Sequence, residues 1–209
     1  MVSCRLSFWL LVGAFALSSF VGIAVIVHLV PLLVENGSDA AFAAFAAGLM
    51  GISQIPGRLV LALLSRRLGA TASAASVFGL AAAALTLLSV ADAHWAVLAF
   101  VLCFGMSNGM ARLLRATLIG DLYGREGFGA ISGLVSAFAL AAEAASPLGA
   151  ALIALAPGGY TTLLAALAAM AAVGGLAATR GTQLERSRQS ASSVIADDVV
   201  LQTASEATM

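Results

Sequence analysis

Gly105-Met106-Ser107-Asn108-Gly109 has the spacing G-x-S-x-G, in which hydrolases hold a nucleophilic serine on a strained strand-to-helix turn. Three and six residues beyond the second glycine stand Arg112 and Arg115, and Arg58, Glu143 and His28 interrupt apolar sequence elsewhere. Two chemistries are open to these side chains. One is acyl transfer at Ser107, which needs free backbone N–H groups for an oxyanion hole and a base within hydrogen-bond reach. The other is recognition of a charged solute, or movement of a proton, by ionisable groups held inside a membrane, where they are costly and mark function by default.

The composition separates the two. Hydrophobic residues make up 61% of the chain and charged residues 10%, against roughly 25% charged in ordinary soluble domains, and mean hydropathy is +1.04. All basic side chains are arginine, and formal net charge is zero. The zero net charge says nothing about nucleic-acid or acidic partners, because what matters is where the charges lie along the chain; the composition describes an all-α integral membrane protein, for which no nucleic-acid partner is expected. Cys4 and Cys103 are isolated, so no disulfide framework, metal site or cofactor is implied.

A spanning helix needs about 20 apolar residues. Six runs reach that length: 8–34, 41–64, 70–90, 95–120, 127–155 and 160–179. The breaks between them are short and polar or carry Gly and Pro, as turns between antiparallel helices do. Transmembrane strands would alternate polar and apolar residues over about ten positions, and these runs are continuous. Residues 1–7 form a short N-terminus, and 180–209, polar and Ser/Thr-rich, read as a disordered tail in which residues 196–202 could dock weakly.

Arginine placement orients the spans. Arg5, the Arg66–Arg67 pair, Arg125, and Arg180, Arg186 and Arg188 fall on one side, while Glu35, Asp39 and Asp92 mark the other. The positive-inside rule puts both termini in the cytoplasm, in a multi-pass protein of the plasma membrane. Trp9, Trp95, Tyr123 and Tyr160 fall at segment ends, where interfacial belts place such rings. The first run also has the outline of a signal peptide, with Ala14-Phe15-Ala16 as a cleavage site. Its unbroken continuation to Val34 and the arginine alternation favour a retained span.

This frame decides most of the opening choice. Ser107 falls inside a span, where its backbone donors belong to a helix, and both histidines, His28 and His94, fall near the outer face. An intramembrane serine protease is the enzymatic alternative; the simpler reading is that the chain is not an enzyme and that Gly105 and Gly109 form a G-x-x-x-G helix contact, repeated by Gly129 and Gly133. Counting about 1.5 Å per residue places Arg58 and Arg112 about 25 Å from the outer face, Arg115 about 30 Å, and Glu143 about 24 Å from the inner start of its helix. The arginines either snorkel to headgroups or face a cavity; Asn108, Arg112 and Arg115 share one helix face. Glu143 is either a proton-titrating carboxylate, a counter-ion, or a structural link to a hydroxyl on another helix. His28 is a relay or gate residue, or an interfacial polar group.

His28–Ala70 resembles the seventh and eighth helices and following loop of the major facilitator superfamily, and Asp121–Ile153 resembles its tenth loop and eleventh helix, with Pro147-x-Gly149. The family's cytoplasmic loop motif survives in ALLSRRLGAT as Leu64, Arg67 and Gly69, with Ala62, Arg66, Ala70 and Thr71 replacing its other positions. The resemblance covers residues 8–179. It implies six helices in a 3+3 inverted repeat, the C-terminal half of a twelve-helix transporter, with substrate bound between halves. Triplets starting at Phe8 and Trp95 fit such a repeat. Arg58 matches a substrate-facing arginine of the monocarboxylate and oxalate/formate antiporter branch, and Gln54 stands where some of those carriers have an aspartate.

The resemblance therefore implies secondary transport of a small solute, an organic anion, by alternating access. Arg58, Arg112, Asn108 and Gln54 would bind it, and Glu143 and His28 would couple. The partners are the lipid bilayer and either a missing N-terminal half or a second copy. Proton-coupled efflux centred on Glu143 is the alternative within transport, and a non-transporting membrane fragment or assembly protein the alternative outside it.

Overall fold

The computed structural model describes residues 6–65, 67–90, 93–123 and 128–206, with residues 123, 128 and 189–206 described for their backbone alone. The expectations resting on residues 1–5 with Arg5, on Arg66, Asp92 and Arg125, and on docking of side chains 196–202 lie outside what is described, as does the ring of Tyr123.

Six helices follow one another: α1 Leu6–Glu35, α2 Ala40–Leu64, α3 Ala70–Val90, α4 His94–Tyr123, α5 Phe128–Ala154 and α6 Gly159–Glu206, with no strand among the described residues. All six contain a stretch long and apolar enough to cross a membrane. The protein is thus an integral, multi-pass, all-α membrane protein. The turns follow local chemistry. Between α1 and α2, Gly37 takes a φ of +83°, which glycine adopts without strain, and Asp39 caps α2 by accepting from the Ala41 N–H at 3.0 Å. Gly158 and Gly159, at φ +101° and +56°, turn the chain into α6.

Pro31, Pro56 and Pro147 lie inside helices. Each lacks a backbone N–H and so leaves a carbonyl of the preceding turn without its helical donor, a group that neighbouring helices and side chains can re-satisfy at membrane depth. Helix contacts are supported by serine hydroxyls donating to carbonyls of another helix: Ser53 to Val101 at 3.3 Å, Ser107 to Val77 at 2.7 Å and Ser146 to Phe20 at 2.6 Å.

α1 packs on α5 and α6, α4 packs on α2 and α3, and α3 packs on α6. The buried apolar side chains form two cores. One gathers Val25, Leu29, Leu85, Phe100, Leu163 and Leu167, towards the end of the bundle where α1 meets α2 and α5 meets α6; the other gathers Phe8, Phe15, Val77, Phe78, Leu114 and Leu118. The gap between them falls between Phe15 and Val21 on α1 and between Phe104 and Met110 on α4. Polar residues collect there.

Two sequence expectations are corrected. Gly105 and Gly109 do meet another helix closely, but Gly129 and Gly133 have no atom of another element within reach of an added Cβ, so the second glycine pair is no contact motif. The sixth helix does not end at Thr179. It continues past Arg180, because Thr182 is fully buried and donates to Ala178 and Thr71 oxygens, and the buried Glu185 accepts from the Ser7 hydroxyl at 2.7 Å. A disordered tail starting at 180 is therefore wrong for at least residues 180–188, which pack on α1 and α3.

Candidate functional site

Ser18, Ser19 and Gly22 of α1, Asn108, Ala111, Arg112 and Arg115 of α4, and Glu143 of α5 line one cleft in the gap between the two cores. Local geometry explains why they meet. On α4, residues 108, 111, 112 and 115 recur at helical spacing and so share a face. Gly22 lets that face approach α1: a Cβ there would stand 3.1 Å from Asn108 Oδ1. On α5, Glu143 lies one turn before Ser146, whose hydroxyl holds α5 to the Phe20 carbonyl.

The electrostatics of the cleft are unusual for a membrane interior. Two guanidinium groups, one carboxylate and an amide face a common space, and among the described residues none of these charges is drawn into an ion pair. Asn108 Nδ2 is shut off from solvent with no hydrogen-bond partner. Such a group costs about 1–3 kcal/mol when it stays unpaired, so a ligand or water that accepts from it would be favoured. The cleft encloses about 20 Å³. A water needs about 10–15 Å³ measured this way and small-molecule sites run to roughly 300–1,000 Å³. The cleft thus has room for about one water and is too small for an organic solute.

Other candidates are placed elsewhere. Gln54 is half-buried on α2, where its backbone lies against Gly109, and Arg58 is exposed on the same helix; neither lines the cleft. His28 is separated from it too, with Nε2 3.3 Å from the Pro147 carbonyl and its ring 6.2 Å from that of Tyr160. The cleft thus unites Asn108, Arg112 and Glu143 of the expected residues, and adds Arg115, which on sequence could equally have snorkelled. Ser18 and Ser19 were missed. Their only signal was a pair of hydroxyls midway along the most apolar run.

Ser107 lies one residue from the cleft-facing Asn108 but turns to α3, where its hydroxyl donates to the Val77 carbonyl at 2.7 Å. The glycines around it face α2. A Cβ on Gly105 would meet Ser53, and one on Gly109 would meet the Gln54 backbone. GMSNG is accordingly a helix-packing seam. Comparison with protein-family models and with curated proteins gives no match to this chain.

Proposed function

We propose that the chain is a six-helix half-transporter of the major facilitator type, which carries a small organic anion by alternating access. The carrying observation is the charged cleft: Arg112, Arg115, Asn108 and Glu143 face one space between membrane-spanning helices. Charge-assisted, bidentate hydrogen bonds from guanidinium groups suit a carboxylate. Asn108, whose amide nitrogen lacks a partner, would donate to the same anion. Glu143 would balance the arginines when the cleft is empty and take up or release a proton as the solute moves.

Two features support a repeat of three helices within the half. Exchanging α1–α3 with α4–α6 carries the α2–α4 contact onto α5–α1 and the α1–α6 contact onto α4–α3, and returns α3–α6 to itself; all five pairs are among the main contacts. The α2–α4 and α5–α1 pairs are each tied by a serine donating to the partner backbone, Ser53 to Val101 and Ser146 to Phe20. Inverted repeats of this kind place substrate at the repeat interface near mid-membrane.

The small cleft volume supports a second wall supplied from outside the chain. α2 and α5 carry the exposed side chains Phe45, Ile52, Leu59, Phe138, Leu148 and Leu152, surface that lipid or another six-helix unit can cover. Made alone, the chain would pair with a second copy. Both termini are assigned to the cytoplasm and the protein to the plasma membrane on arginine placement.

Binding tests this reading directly. Lactate, formate and oxalate at millimolar concentration should raise the thermal midpoint of the solubilised chain for at least one of the three. Arg112→Gln should weaken that effect about ten- to hundredfold in apparent affinity, and Arg188→Gln should leave it unchanged. No shift with any carboxylate, or an equal shift in the Arg112 variant, counts against the proposal.

A further inference from the structure

The seam between α1 and α6 has a fixed inner side and an open outer side. Inside, Gly181 lies against α1, where an added Cβ would come within 3.0 Å of Leu11 Cγ, and the Ser7 hydroxyl donates to Glu185 Oε2 at 2.7 Å. These contacts set the spacing of the two helices. Outside, Leu6 and Leu10 of α1 and Val173, Leu176, Arg180 and Leu184 of α6 border a groove of about 670 Å³, a volume within the roughly 300–1,000 Å³ of small-molecule sites. Gln183 and Ser187 complete its polar mouth.

Depth gives the groove its chemistry. α6 begins at Gly159, so at about 1.5 Å per residue Arg180 stands about 31 Å along it, one hydrocarbon thickness of about 30 Å from the opposite interface. Val173 and Leu176 lie about 10 and 6 Å deeper by the same count. The guanidinium is therefore level with headgroups, and Val173 and Leu176 are level with acyl chains. We infer that this groove binds one anionic phospholipid, its phosphate held by Arg180 with Gln183 and Ser187, and one acyl chain along Leu10, Val173 and Leu176.

Charge complementarity selects that occupant. Arg180 is the charged side chain of the groove; it attracts an anionic headgroup, whereas a zwitterionic headgroup brings its own cation. A second copy would present the same positive mouth to itself. The inference rests on the helices spanning a membrane and is independent of the transport reading.

The test uses the full chain in mixed micelles holding equal phosphatidylglycerol and phosphatidylcholine, with retained lipid counted by native mass spectrometry. Expected is preferential retention of one phosphatidylglycerol per chain. Arg180→Gln should lower it about fivefold. Leu176→Trp, which fills the groove and keeps the charge, should lower it as well, while Arg188→Gln, outside the groove, should not. Equal retention of both lipids by the unmodified chain, equal losses in the Arg180 and Arg188 variants, or a loss in only one of the two groove variants would overturn the inference.

Discussion

Asn108 shows how a single residue separates function from packing. Its Nδ2 is buried without a partner, beside two arginines that share its cleft. Removing a buried unsatisfied amide returns about 1–3 kcal/mol unless the side chain fills space that nothing else fits. Asn108→Leu should therefore leave thermal stability in detergent unchanged or raise it by about 1 kcal/mol, while carboxylate binding is lost. A variant that loses stability and binding together would make Asn108 structural. Sequence spacing was enough to put Asn108, Arg112 and Arg115 on one face, because a helix fixes which side chains share a side. It could not reveal that Ser18 and Ser19 on α1 and Glu143 on α5 join them. That depends on which helices pack together, and residues this far apart in the chain meet only through tertiary contact. Ser107 is the reverse case: a motif that spells chemistry, inside a helix that spends its hydroxyl on the Val77 carbonyl.

At the scale of elements, helix existence and most boundaries were legible, since about 20 continuous apolar residues admit little besides a spanning helix. The end of α6 was not. Polar sequence after Thr179 reads as tail, yet Thr182 and Glu185 are buried against α3 and α1, and a polar residue that finds a buried partner leaves no mark in composition. Glycine pairs behave likewise. Gly105–Gly109 and Gly129–Gly133 have the same spacing, and only the first faces another helix closely. The α2–α4 seam is tight enough that a Cβ on Gly57 or Gly109 would meet backbone atoms of Met106 or Gln54. Backbone cannot rotate away, so Gly109→Ala should destabilise the protein by about 1–3 kcal/mol, whereas Gly133→Ala should cost nothing measurable. Thermal unfolding of the two variants side by side checks this, and equal midpoints would contradict the seam.

The whole molecule combines a packed six-helix bundle with one small charged cleft. Two apolar cores hold the six helices, and Arg112, Arg115 and Glu143 line a cleft in the gap between them. Charged side chains in a membrane are expensive wherever they stand; three of them line one cleft of about 20 Å³, and the proposed transport rests on that cleft. The direct measurement is counterflow of radiolabelled lactate, formate and oxalate in proteoliposomes holding the chain alone, in preparations whose mass by light scattering, corrected for bound detergent, is two copies. Expected is uptake of at least one of these anions above protein-free liposomes, lost in Arg112→Gln and in Glu143→Gln and kept in Arg188→Gln. A dimeric preparation that carries none of them, or one whose uptake survives both cleft substitutions, would contradict a half-transporter built around this cleft.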